Sequence, residues 1–149
     1  MTRLDSALGG ISRLGFDTSP FIYLIERHQT YLAVVREVFR RVDTGTIAGF
    51  SSVISLTEVL TRPMQIGDAA LAHSYRLVLT GSRHFTLLPI DSIIAERAAR
   101  LRARHRLRTP DAMQLATALS VGCEAFLTND ATLRRVSELR VILIDELDP

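Results

Sequence analysis

LGFDTSPFIYLIE, residues 14–26, decides the fold class. A short apolar run, LGF, halts at an acid, Asp17. TSPFIYLIE then reads as a helix with Ser19 as cap and Pro20 at its first position, where a missing N–H costs nothing. Strand, acid, helix is the unit, and working outward from it the same alternation recurs along the chain. TYLAVVREVFRRVDTG (30–45) places Tyr31, Val34, Val35, Val38, Phe39 and Val42 at steps of three and four, an amphipathic helix stopped near Gly45. IAGFSS (47–52) is a second strand, and VISLTEVLTRP (53–63) a short helix closed by Pro63. Asp68 to Thr80 is a further helix, and HFTLLPI (84–90) a third strand. Asp91 caps an arginine-rich helix. In RTPDAMQLATAL (108–119), Thr109 can cap and Pro110 suits the first turn of a helix that stops at Gly122. EAFLT (124–128), NDATLRRVSE (129–138) and RVILI (140–144) close the series as strand, short helix and strand. Such alternation is the signature of a mostly parallel α/β sheet.

Composition sets the outer bounds. The chain of 149 residues fits one domain, 1–149, able to bury roughly 68–70 % of the surface its unfolded form exposes. One cysteine, Cys123, forms no internal disulfide and reads as a small buried residue, which makes a reducing, cytoplasmic setting the expectation. MTRLDSALGG lacks the apolar core of a signal peptide, and no run of 18 apolar residues occurs, so neither export nor a membrane span is expected. All 18 basic residues are arginine. Without lysine there is no P-loop site and no receiver or haloacid-dehalogenase-type phosphoryl chemistry. A net charge of +2 does not argue for nucleic acid by itself.

Four acids hold comparable places in this layout. Asp17 follows the first strand, Glu58 lies one turn into the helix after the second, Asp111 opens the helix before the fourth, and Asp130 follows the fourth. In open α/β sheets, chemistry gathers beyond the carboxyl ends of the strands, where strand order reverses. The plain alternative for the three aspartates is helix capping, and for Glu58 a solvated helix face shared with Ser55 and Arg62. If the four converge, two carboxylates about 4 Å apart repel by about 4 kcal/mol at an effective dielectric near 20, so the group needs a cation. Oxygen donors alone select Mg²⁺ or Mn²⁺. His28, His73, His84 and His105 show no paired spacing for zinc. Mg²⁺ held by carboxylates keeps waters and open positions, as phosphodiester hydrolysis requires.

FDTSPFIYLIE, SSVISLTEVL, TPDAMQLATAL and FLTNDATLRRV, in that order, resemble the four acidic motifs of PIN-domain proteins, specifically the VapC-type toxins of bacterial toxin–antitoxin pairs. The likeness runs from about Gly15 to Ile144. It implies a three-layer α/β/α sandwich around a mainly parallel sheet of four to five strands. By position it makes Asp17, Glu58, Asp111 and Asp130 the metal-site acids of a Mg²⁺- or Mn²⁺-dependent endoribonuclease acting on structured RNA such as tRNA or rRNA. It further implies a homodimer silenced by a VapB-type antitoxin. Against the family pattern, Arg13 and Gly15 interrupt the first strand, and about ten residues precede it.

Within that reading, Asp17 and Asp111 are expected as direct ligands, with Asp130 completing the shell directly or through water. Glu58 is expected to bind a metal water or a second ion and help take its proton. Thr18, Thr128 and Asn129 are expected to orient the acids, while Ser19 reads more simply as a cap. Arg97, Arg100 and Arg104 share a helix face whose run leads to Asp111, so Arg104 and Arg108 are candidate RNA contacts; solvated arginines are the alternative. Three other functions stay open: a PIN-fold nuclease for RNA processing or DNA without an antitoxin, a non-catalytic binding module, and a Mg²⁺-dependent small-molecule phosphatase.

Overall fold

The computed structural model describes residues 1–149. Five strands, β1 (Arg13–Phe16), β2 (Ala48–Ser52), β3 (Phe85–Leu88), β4 (Ala125–Thr128) and β5 (Arg140–Leu143), form one sheet in the order β3-β2-β1-β4-β5. Every pairing is parallel. Parallel strands need covered crossovers, and seven helices supply them: α1 (Arg3–Leu8), α2 (Ser19–Ile25), α3 (Leu32–Asp43), α4 (Val53–Ile66), α5 (Ala69–Thr80), α6 (Ser92–His105) and α7 (Thr109–Ser120). The result is the expected three-layer α/β/α sandwich.

Alternation along the strands divides the core in two. Leu14, Phe16, Ala125 and Leu127 face α1, α2, α3 and α5, where Phe16, Phe21, Phe39 and Phe85 pack with ring centroids 5.2–5.9 Å apart. Phe50 and Phe126 face α6 and α7, among Leu101, Ala112, Leu115 and Ala116. The chain runs outward from β1 to β2 and β3, then crosses back to β4 and β5. Strand order therefore reverses at the β1–β4 seam, which is where a crevice opens at the carboxyl ends of the strands.

The two residues expected to interrupt β1 belong to it. Arg13 lies with its guanidinium 4.5 Å from the centroid of the Phe50 ring, and its Nε donates to Val121 O at 2.7 Å. Gly15 lets α7 approach the sheet: a Cβ there would fall 2.7 Å from Ala118 Cβ and 3.0 Å from the Phe126 ring. Local readings at helix ends need correction. Thr18, not Ser19, is the residue before α2, and Arg108, not Thr109, precedes α7; neither makes a side-chain cap bond. Pro63 does not close α4: it lies buried inside the helix, which continues to Ile66 and stops at Gly67 in the left-handed region (φ 71°). α1, to which the sequence reading assigned no element, starts with a reciprocal Thr2–Asp5 capping box. No helix is long and apolar enough to cross a membrane.

Two measurements check this packing. Gly15→Ala should destabilise the protein by about 1–3 kcal/mol, read as a lowered urea midpoint, because backbone and α7 must part to admit one methyl. Cys123 is buried and its thiol is pushed up to about 12 by desolvation, so at neutral pH it stays protonated; alkylation should be slow in native protein and fast in denaturant.

Candidate active site

The β1–β4 seam ends in a cleft of about 380 Å³ lined by Asp17, Thr18, Ser19, Tyr23, Glu58, Arg108, Asp111, Thr128, Asn129 and Asp130, with Ile22. All four sequence-expected acids and all three expected orienting residues are therefore in one place. Asp17 N donates to Leu127 O at 2.9 Å, carrying the β1–β4 pairing one residue further and placing the carboxyl over the seam. Both carboxylate oxygens are pinned: Thr18 N donates to Oδ1 at 2.8 Å and the buried Thr128 hydroxyl donates to Oδ2 at 2.7 Å. Thr128 Oγ1 in turn accepts from Asp130 N at 3.0 Å. Asp130 also performs the capping role, accepting from Thr132 N at 3.0 Å and Thr132 Oγ1 at 2.7 Å.

Beneath the cleft lies a buried polar network that the sequence reading missed. Gln114, 3 % exposed, accepts from Ser52 Oγ at 2.6 Å through its carbonyl. Its amide donates to Ser55 Oγ at 2.7 Å and Thr18 Oγ1 at 3.3 Å. Ser51 Oγ donates to Phe16 O at 2.9 Å and lies 2.8 Å from Ser55 Oγ. Thr18 closes the chain by donating to Glu58 Oε1 at 2.5 Å. Ser55 is thus fully buried rather than part of a solvated face with Glu58, and Thr18 forgoes capping because its hydroxyl holds Glu58. Two signals were available: Ser51 and Ser55 stand four apart across a strand–helix junction, and Gln114 stands three after Asp111 on the apolar side of α7.

Charge in the cleft is lopsided. Burial holds the Asp17 carboxyl above the usual carboxylate range, hydrogen bonds from Thr128 and Thr18 oppose this, and the negative fields of Asp111 and Glu58 raise it further. Arg108 supplies the counter-charge, with Nε 3.0 Å from Asp111 Oδ2 and Nη2 3.3 Å from Oδ1. Its side chain is 74 % exposed, whereas that of Asp111 is 12 %. Arg108 also borders a second hollow of about 330 Å³ with Arg106, Arg135 and Thr132, which shares Asp111 and Asp130 with the acidic cleft. The other arginine singled out from sequence is elsewhere: Arg104 pairs with Glu138 at 3.1 Å and lines a groove with Arg97 and Arg100, away from the acids.

The donor set is all oxygen, with no imidazole or thiolate in the cleft, which suits a hard divalent cation. Ser19 Oγ, on the same wall, is buried without a hydrogen-bond partner. In this arrangement no three acidic, histidine or cysteine side chains enclose a single ion position. Ligation by Asp111 requires Arg108 to swing out, a motion its exposure permits.

A family model of the PIN domain matches residues 16–139. No curated protein matches the chain. Among solved structures, the chain is similar to a toxin–antitoxin complex from Klebsiella pneumoniae at 25 % identity and TM-score 0.64, covering 89 % of this chain and 98 % of that one. It shares its fold with VapBC2 from Rickettsia felis, bound to a DNA fragment from their promoter (13 % identity, TM-score 0.71, 91 % and 99 % covered). It also shares it with Mycobacterium tuberculosis VapC20, a sarcin–ricin loop cleaving toxin (16 % identity, TM-score 0.66, 87 % and 99 % covered).

Gln114→Leu tests the network. It leaves the Ser52 and Ser55 hydroxyls without their partner and should cost about 1–3 kcal/mol, measured as a shift of the urea midpoint at unchanged slope.

Proposed function

The chain belongs to the PIN-domain family, and on that premise we propose that it is a Mg²⁺- or Mn²⁺-dependent endoribonuclease, the toxin of a VapBC-type toxin–antitoxin pair. One observation carries the reading: four acids spread over more than a hundred positions line a single cleft at the seam where strand order reverses. The likeness to toxin–antitoxin complexes supports a cognate antitoxin, and the likeness to a toxin that cleaves the sarcin–ricin loop supports RNA, rRNA or tRNA, as substrate. A cytoplasmic homodimer is part of the same proposal.

Asp17 and Asp111 would hold the ion, with Asp130 completing the shell directly or through water. The ion would supply charge to offset the scissile phosphate and its leaving oxygen and would make an attacking water more acidic. Thr128 and Thr18 fix the Asp17 carboxylate in one orientation, so its two oxygens present the same face to the cleft. Glu58, solvent-exposed at the edge and steadied on one oxygen by Thr18, keeps its other oxygen free to accept a proton from the attacking water. Arg108, once released from Asp111, faces the adjoining hollow and is placed to pair with a backbone phosphate. Asn129 stands between the cleft and its aromatic wall, donating to Tyr23 Oη at 3.1 Å.

The decisive experiment incubates total RNA with the protein and its Asp111→Asn variant, with and without Mg²⁺, and maps the new ends. Discrete ends that require both Mg²⁺ and Asp111 are expected, with the folded variant losing at least about 100-fold in rate. Thr128→Val should lose about 10- to 100-fold, as removal of a ligand's hydrogen-bond partner usually does. RNA left intact by wild type across Mg²⁺ and Mn²⁺ would overturn the assignment, and cleavage of DNA alone would move the substrate.

A further inference from the structure

The chain has three tyrosines and no tryptophan. Tyr75 is buried in the core, but Tyr23 and Tyr31 are only half-buried and cluster with His28. Ring centroids are 4.6 Å apart for Tyr23 and His28, 4.9 Å for Tyr23 and Tyr31, and 4.7 Å for His28 and Tyr31, the last pair stacked at 21°. Tyr23 is the member that lines the cleft.

The trio is locked by polar ties. Tyr23 Oη accepts from Asn129 Nδ2, and Asn129 Oδ1 accepts from Asp145 N at 2.9 Å. Tyr31 donates to Asp145 Oδ1 at 2.6 Å. His28 Nδ1 accepts from Thr30 N at 3.1 Å and Tyr31 N at 3.2 Å, so in the neutral ring the proton resides on Nε2. Asn129 neighbours Asp130 in sequence, so one short turn holds both an acid of the cleft and the tether of the aromatic wall.

Ion and arginine contacts would hold a phosphate whatever base it carries, and a strand gains further affinity from contacts that carry no charge. Rings held rigidly in place supply such contacts, because a base can stack on them without a large loss of side-chain freedom. We propose that Tyr23, backed by His28 and Tyr31, is a stacking subsite for a nucleobase of the RNA strand, adjacent to the phosphate that enters among the acids. This rests on the reading of the cleft as an RNA-cleaving site. The competing explanation is that the trio only anchors the turn between α2 and α3, against whose core it packs.

The test titrates two labelled strands of equal length, a mixed-sequence single-stranded RNA and an abasic ribose-phosphate chain, in Mg²⁺. Anisotropy and tyrosine emission are read at short mixing times, before cleavage. Wild type should bind the base-bearing strand about 5- to 150-fold more tightly than the abasic one, the range one lost base–aromatic stack produces, and only the former should quench tyrosine emission. Tyr23→Leu should abolish the preference while binding the abasic chain as before, and Tyr23→Phe should retain most of it. Equal binding of the two strands by wild type overturns the proposal, whether or not Tyr23→Leu folds. So does a preference that survives in Tyr23→Leu, or a variant that weakens both strands alike. Wild type that cleaves RNA without base preference removes the subsite alone; wild type that neither binds nor cleaves RNA removes the proposed function with it.

Discussion

One buried amide joins the parts of the cleft. Gln114, projecting from α7 beneath the sheet's carboxyl edge, reaches the end of β2 through Ser52, the start of α4 through Ser55, and the β1–α2 junction through Thr18. In a low-dielectric interior such a network is stable only when its members are satisfied together, which makes it all-or-none. Thr18 passes that constraint on to Glu58, and Thr128 does the equivalent for Asp17 on the other side of the seam. Asp17 and Glu58 are therefore held from below by neutral donors. Loop flexibility has little part in their placement.

Neutral support leaves the negative charge uncompensated, and the cleft answers with one exposed cation. Arg108 pairs with Asp111 across two nitrogens, and the fields of Asp130 and Glu58 also reach it. An exposed guanidinium on a half-buried carboxylate is a weak clamp, because solvent screens the pair and its long side chain loses freedom by staying. The arrangement keeps the acids quiet without locking them. The same side chain borders the neighbouring hollow, so Arg108 joins the acidic cleft to a basic one lined by Arg106 and Arg135.

Much of this was legible in the residues. The strand–acid–helix unit at 14–26 and its recurrences located five strands and six of the seven helices, because periodicity and turn residues agree at those places. The four acids were legible as a set because each falls at a strand end or within the first turns of a helix beside one, and a parallel sheet gathers those ends. What escaped has physical reasons. Ser19 and Thr109 look like caps, but each is the first residue of its helix, one place past the cap; Thr18 stands at the cap of α2 with its hydroxyl committed to Glu58. Gln114 on an apolar helix face reads as noise until its partners on three other segments are known. Arg104 looked continuous with Arg108 in sequence, yet the left-handed residue Arg106 (φ 56°) turns the chain between them, sending one toward Glu138 and the other to the acids. Pro63 does not end its helix, since a proline inside a helix removes one hydrogen bond and α4 runs on past it.

The central place of β1 has a consequence for the order of events during synthesis. Its register partners on one side, Ala125 to Leu127, leave the ribosome more than a hundred residues after it does, so the seam that seats Asp17 stays open until then. Asp111, Thr128 and Asp130 all follow far behind Asp17 in the chain, and Thr128 cannot clasp Asp17 until β4 is made. Non-local pairing of this kind delays completion of the native state. The cleft is thereby incomplete until β4 and the turn after it have been made, a consequence of strand order alone.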